Sequence, residues 1–298
     1  GCWFLTKYED AARVLADQRF GLEFHKVIPP EHLPPVPDEF SAYFAMIQKW
    51  LLFRDPPDHT RLKSLVRSAF TPSTIATLAP IVTLCTKQLL QTKLESGSMD
   101  LIADLAFPLP VMVISKLLGF PYENQADLKR WSHDLLAAID LRGSREESDA
   151  CFARAAQSMT EFSSYVRDHI AARRRQPGPD LLSTLISVEQ SSGKLTEEEL
   201  IATCIMLLWA GHETTVNLIG NGMLALLSNR DQYRDLKDNP FITEGAVAEL
   251  LRFDSPAQMT FRFAFADVDL GGKRLHTGDS VAVVLGAANR DPDVFENP

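Results

Sequence analysis

The stretch KLTEEELIATCIMLLWAGHETTVNLIGNGMLALLSN constrains the fold more than any other part of the chain. Thr196 and Glu199 have the spacing of a capping box, which fixes a helix start. The helical pattern then runs without a break to about Ser228. Such a helix is roughly 32 residues, or about 48 Å, long at about 1.5 Å per residue. Its first half is apolar almost all round, so it belongs at the centre of a helical body rather than on its surface.

The rest of the chain supplies what would surround it. KYEDAARVLADQRF has helical periodicity, with Ala11, Ala12, Val14 and Leu15 on one face. IPPEHLPPVPDEF holds five prolines between Pro29 and Pro37 and reads as a long surface loop. A helix follows in RDPPDHTRLKSLVRSAFTP, with Asp55 as the expected cap, Pro56 in the first turn and Asp58 at the positive end of the dipole. Further helices are expected at 75–94, 101–118, 125–139, 145–174 and 181–190. After Asp254 the pattern changes to short alternating segments around Gly271-Gly272, a good two-residue hairpin turn. The expected fold is mainly α with a small β region, read as one domain over 1–298.

The chain has 298 residues, 45% of them hydrophobic, enough for one large core or two smaller ones. A net charge of −9 argues against nucleic acid as the main partner. Cys2, Cys85, Cys151 and Cys204 are scattered with no CxxC pair, so no structural zinc site and no disulfide framework are expected. Cys85 and Cys204 fall in apolar helical patterns and read as small core residues. The most apolar run, 200–210, is too short for a bilayer span, which needs about 20 residues. The expected setting is therefore cytoplasmic, without a membrane.

The central helix carries one anomaly. In LLWAGHETTVN, 207–217, a greasy run is interrupted by Gly211, His212, Glu213, Thr214 and Thr215. A zinc-protease HExxH motif would need histidine at position 216, which is Val216. Gly211 removes a side chain, so a flat ligand could approach the backbone. Thr214 can return its hydroxyl to a carbonyl one turn back and loosen the helix. The result would be a groove with an acid and an alcohol, suited to moving protons into a dry pocket. A buried helix with internally bonded threonines explains the same residues. Three weaker signals accompany it. Glu249 and Arg252 are three apart and can pair, as on many solvated helix faces. His59 and Lys63 are four apart and could hold carboxylates, or form an ordinary polar face. Arg262 is a cation in an apolar strand, where arginines commonly snorkel or pair.

In this order and spacing, His59, AGHETT at 210–215, ELLR at 249–252 and Arg262 resemble the cytochrome P450 family of haem-thiolate monooxygenases. LLFRDPPDHTRLKSLVRSAFTP and ANRDPDVFENP resemble its soluble bacterial members, and the likeness covers essentially the whole chain. The resemblance implies a P450 fold and a haem whose oxygen-binding groove is formed by Ala210, Gly211 and the residues to Thr215. It implies Glu213 and Thr214 as the proton-delivering acid–alcohol pair, and Glu249 and Arg252 as a structural brace. His59, Lys63 and Arg262 match haem-propionate contacts. Position 63 is commonly arginine in relatives, and Lys63 lacks that bidentate fork.

The family's iron ligand is a cysteine in a Gly-rich loop past the ANRDPDVFENP segment. On this resemblance the chain, ending at Pro298, reads as an incomplete P450 fold, without its first strands and with the ligand beyond Pro298. None of the four cysteines sits in such a loop. The implied activity is insertion of one atom of dioxygen into a small hydrophobic organic substrate, in secondary metabolism. Electrons would come from a ferredoxin and a ferredoxin reductase. A peroxide-driven variant would not need the Glu213–Thr214 pair. From another class, a haem-free helical protein binding a hydrophobic small molecule fits the chain as it stands.

Overall fold

The computed structural model describes residues 2–33, 35–121, 124–138, 145–193 and 195–298. In chain order the strands and helices are β1 (Cys2–Leu5), α1 (Tyr8–Ala16), β2 (Phe20–Gly21), α2 (Ser41–Ile47), α3 (Asp58–Ala69), α4 (Pro72–Ala76) and α5 (Leu78–Gln91). Next come α6 (Pro108–Leu118), α7 (Gln125–Ala137), α8 (Arg145–Arg175), α9 (Leu181–Ser192), α10 (Glu197–Ser228), α11 (Arg230–Asp238) and α12 (Thr243–Phe253). The chain closes with β3 (Thr260–Ala264), β4 (Val268–Leu270), β5 (Lys273–Leu275), β6 (Ser280–Val283) and α13 (Leu285–Ala288). The mainly α fold with a small β region is thus observed. The chain divides into two compact units, Pro35–Glu213 on one hand and Gly1–Pro34 with Thr214–Pro298 on the other.

The first of these is a helical body around the start of α10. Leu200, Ile201, Ala202, Cys204, Ile205 and Leu208 are all 0% exposed, as a helix apolar on every side requires. Trp50, Phe162, Leu128, Leu135 and Leu185 complete the core with them. The capping box is formed: the Thr196 N–H donates to Glu199 Oε2 at 2.9 Å, and the Glu199 N–H to Thr196 Oγ1 at 3.2 Å. Glu199 also accepts from Arg61 on α3 at 2.5 Å, so one carboxylate both starts α10 and ties it to a neighbouring helix.

Several boundaries differ from expectation. The segment 101–118 is not one helix, because a π-turn at Ile102–Ala106 precedes α6. The pattern at 75–94 divides into α4 and α5. The start of α3 is Asp58, with Pro57 as the N-cap, and Asp55 contributes its carbonyl, accepting from the His59 N–H at 3.0 Å. The proline-rich loop forms short 3₁₀ turns at Pro30–His32 and Asp38–Phe40, with Pro34 outside the described residues. The end of the expected 125–139 helix also lies outside them.

In the other unit, a four-stranded sheet has the order β1-β6-β3-β2. Strand β1 runs parallel to β6, from Cys2 opposite Ser280 to Leu5 opposite Val283. Four residues give too little alternation to identify β1 from sequence, and its partner lies almost the whole chain away. The sequence reading assigned no strand to these residues. The β4–β5 hairpin turns at Gly271 and Gly272, with φ of 54° and 72°, the left-handed pair that such a turn requires. Val14, Val268, Leu270, Leu275, Val281 and Val283 form the core under the sheet.

Two helix-ending glycines separate backbone strain from steric conflict. Gly119 and Gly193 both have positive φ, at 75° and 60°. A Cβ on Gly119 would lie 2.3 Å from Asp180 Oδ2, whereas one on Gly193 would meet nothing within 4 Å. Gly193→Ala should cost about 1–2 kcal/mol from left-handed strain alone. Gly119→Ala should cost about 1–3 kcal/mol more, since it also displaces the Asp180 carboxylate from Arg173. Urea midpoints of the two variants against wild type measure the difference.

Candidate active site

The α-helical run of α10 passes through 210–215 without a break, so the expected loosening at Thr214 does not interrupt it. What changes is exposure. Gly211, Thr214 and Asn217, three residues apart, are exposed on a helix whose preceding turns are buried. A Cβ at Gly211 would meet nothing within 4 Å. Backbone and a threonine side chain therefore share one open stripe.

Around the helix from that stripe the environment is dry. The Glu213 side chain is 18% exposed, and burial raises its carboxyl above the usual range, with His133 acting in the opposite direction. His212 is 0% exposed, and burial pushes its imidazole down to about 4, with the Phe107 backbone acting in the opposite direction and Lys129 in the same one. Its ring meets Phe107 edge-on at 4.4 Å between centroids, and Lys129 Nζ sits 4.2 Å from the centre of the Phe107 ring. Neither His212 nitrogen has a hydrogen-bond partner among the described residues, while Nδ1 lies 3.7 Å from Glu213 Oε1. The sequence reading gave His212 no role of its own, because a histidine in a helix carries no signal of burial. Phe107 and Lys129 reach it through tertiary packing alone.

On α3 the charges divide by face. Asp58 is paired with Arg54 and Arg61, and Arg61 with Glu199. His59, half-buried, and Lys63, exposed, make no side-chain hydrogen bond or ion pair among the described residues. They are left with donors to offer. In the other unit, Arg262 on β3 donates to Thr260 Oγ1 at 3.2 Å and to the Phe261 carbonyl at 2.7 Å.

Glu249 and Arg252 form the fork that their spacing allows, Nε to Oε2 at 2.8 Å and Nη2 to Oε1 at 2.6 Å. Arg252 also donates from Nη1 to the Asn289 carbonyl at 2.7 Å and lies 5.0 Å from the Phe295 ring centre. The pair is asymmetric, with the Arg252 side chain 14% exposed and that of Glu249 55%. A pair buried at both ends, as a brace in the core would be, is not what the structure has. The arginine is anchored and the glutamate faces outward.

The family model for cytochrome P450 matches residues 36–239 and 228–298. The chain belongs to the cytochrome P450 family. It is 40% identical over 296 residues to the biotin biosynthesis cytochrome P450 of Bacillus subtilis strain 168, covering 99% of this chain and 72% of the relative. Among solved structures, P450BioI in complex with a hexadec-9Z-enoic acid ligated acyl carrier protein superposes with a TM-score of 0.87 at 38% identity, covering 100% of this chain and 74% of that one. The myxobacterial CYP267B1 in complex with myristic acid gives 0.86 at 38% identity, covering 100% and 72%. This P450 is therefore a haem-dependent monooxygenase, and the reading as a haem-free binding protein is not favoured.

The residues present suit one face of a haem. An open backbone stripe at Gly211 accepts a flat group, and the donors of His59 and Lys63 suit carboxylates. Two of the four cysteines are enclosed. Cys85 and Cys204 are buried in helices, and burial pushes the Cys204 thiol up to about 12. Cys2 lies on β1 and Cys151 on α8. No single helix among the described residues is long and apolar enough to cross a membrane.

Two stability predictions follow from this geometry. Arg252→Ala removes a charged fork, a carbonyl contact and a ring contact, and should cost about 1.5–3 kcal/mol. Glu249→Gln, at the exposed end, should cost less than about 1 kcal/mol. Equal shifts in denaturation midpoint would contradict the asymmetry. His212 has a folded-state pKa below its unfolded value of 6.5, so the unfolded chain takes up a proton first as pH falls. Stability should drop between about pH 6.5 and 4 by about 3 kcal/mol from this group, and be fully present above that window. His212→Phe should lack that part of the slope, measured by urea unfolding of the haem-loaded protein from pH 7.5 to 4.5.

Proposed function

We propose that Glu213 and Thr214 form the proton path of this monooxygenase. The observation that carries the reading is a largely buried acid, held toward its protonated form, next in the helix to an alcohol on the exposed stripe. A carboxyl with a raised pKa keeps a proton available nearer neutral pH than an exposed glutamate does. Glu213 would take up a proton at its carboxylate and release it toward Thr214 Oγ1, which passes it on while the surrounding apolar turns exclude water. Haem, when bound, supplies the activation of dioxygen. Ala210 and Gly211 would leave room for it, and His59, Lys63 and Arg262 would hold its propionates through their N–H donors. None of the four cysteines is proposed as iron ligand. The Glu249–Arg252 pair is proposed to steady α12 against the chain near Asn289.

Bacterial P450s act on small organic substrates and take electrons from redox partners. For this chain we propose an apolar organic substrate, in keeping with the fatty-acid ligands of the two solved relatives. We further propose a ferredoxin and ferredoxin reductase as electron donors, the cytoplasm as the setting, and a single catalytic domain, since the family match runs through both units.

Thr214→Ala removes a hydroxyl and a methyl, so haem and substrate should still bind. Product formed per NAD(P)H consumed should fall several-fold, with the missing equivalents recovered as peroxide or water. An unchanged ratio would rule out the relay role.

A further inference from the structure

His212 takes no part in the relay described above, yet it is the most conspicuous polar group near it. It is 0% exposed, and both ring nitrogens lack a partner among the described residues. A buried imidazole with neither nitrogen satisfied is unfavourable, and folded proteins rarely keep one without a use. Glu213 Oε1 lies 3.7 Å from Nδ1, just outside hydrogen-bond reach, and the Phe107 backbone also acts on the ring. Closing that gap needs movement of one of the two side chains. The edge-on Phe107 ring at 4.4 Å holds the imidazole plane, so the freedom to close lies mainly with the glutamate.

We propose that His212 is a positioning residue, whose Nδ1–H donates to Glu213 Oε1 and so fixes the orientation and charge state of that carboxyl. The inference rests on reading Glu213 as the relay acid. A neutral imidazole has one donor and one acceptor nitrogen, so the bond requires the Nδ1–H tautomer, with Nε2 bare. Protonation of the ring is opposed by burial and by Lys129 on α7, and these outweigh the Phe107 backbone, which favours it. The titratable groups facing the pair are Lys129 toward His212 and His133 toward Glu213, both from α7, while the Phe107 backbone acts on the imidazole and favours its protonated form. Donation from a neutral ring stabilises the carboxylate without placing a full positive charge beside it. The carboxyl can then still be reprotonated, as a relay needs.

The test reads the pair directly and needs no turnover. Haem-loaded protein labelled with ¹⁵N-histidine, in its diamagnetic ferrous carbon monoxide form, reports each imidazole tautomer by NMR. The His212 signal is the one lost in His212→Asn. Protonated Nδ1 with bare Nε2 between about pH 6 and 8 is expected, and the opposite tautomer overturns the proposal. In parallel, infrared titration follows the Glu213 carboxyl band, identified by its loss in Glu213→Gln. His212→Phe should move that titration up by about one pH unit or more, and His212→Asn, which keeps a donor, should move it less. The effect should persist when His133→Gln or Lys129→Met is also present. A Glu213 titration unchanged in folded His212→Phe overturns the proposal, and the wild-type tautomer decides it if that variant does not fold. Product per NAD(P)H in Glu213→Gln tests the relay reading separately. If coupling survives there, the relay fails, whatever the tautomer shows.

Discussion

The burial of α10 is the constraint on which the rest of this P450 depends. From Leu200 to Leu208 nearly every side chain is removed from water, including residues on opposite sides of the helix. A helix with no polar face has to be enclosed, and enclosure takes several partners. That requirement accounts for the number of helices in the unit formed by Pro35–Glu213, and for the aromatic residues Trp50, Trp131 and Phe162 that fill the wide gaps between cylinders. It also explains why the entry into α10 is so firmly tied. The capping box and the Arg61 contact both converge on Glu199, so the register of the helix is set before its apolar part begins.

Within that dry setting, a few polar groups have large consequences. An exposed Glu-Thr pair would have ordinary solution properties. At 213–214 the same residues stand where burial raises the acid and Gly211 leaves one position of the exposed stripe without a side chain. His212 is held neutral by the same desolvation. One physical term, the removal of water, therefore acts on neighbouring groups in opposite directions. It moves the acid toward protonation and the base away from it, which leaves both uncharged nearer to neutral pH. That is a suitable starting state for moving a single proton.

The ion pairs divide by what they hold. Arg61 joins two helices through a carboxylate that is 16% exposed, and Arg252 joins α12 to the Asn289 carbonyl with its guanidinium largely covered. Pairs such as Arg234–Asp231, with side chains 70% and 92% exposed, hold one turn of a surface helix and little else. Spacing of three residues is common to Glu249–Arg252 and Asp231–Arg234, so spacing does not tell an anchor from a surface pair.

By itself, the sequence determined the existence and type of the long helices, the start of α10, the Gly271-Gly272 hairpin and the residues of the candidate site. These rest on local rules: a period of 3.6 residues, a capping box, a left-handed turn that glycine adopts freely. The tertiary structure decided what those residues experience. Strand β1 exists because β6 offers it an edge, and four residues carry no such information. The environment of His212 comes from Phe107, more than a hundred positions away. Whether Glu249 is buried depends on what covers α12, which the spacing to Arg252 does not encode. Local geometry is written in neighbouring residues, whereas burial, and the electrostatics that burial controls, is a property of the packed chain.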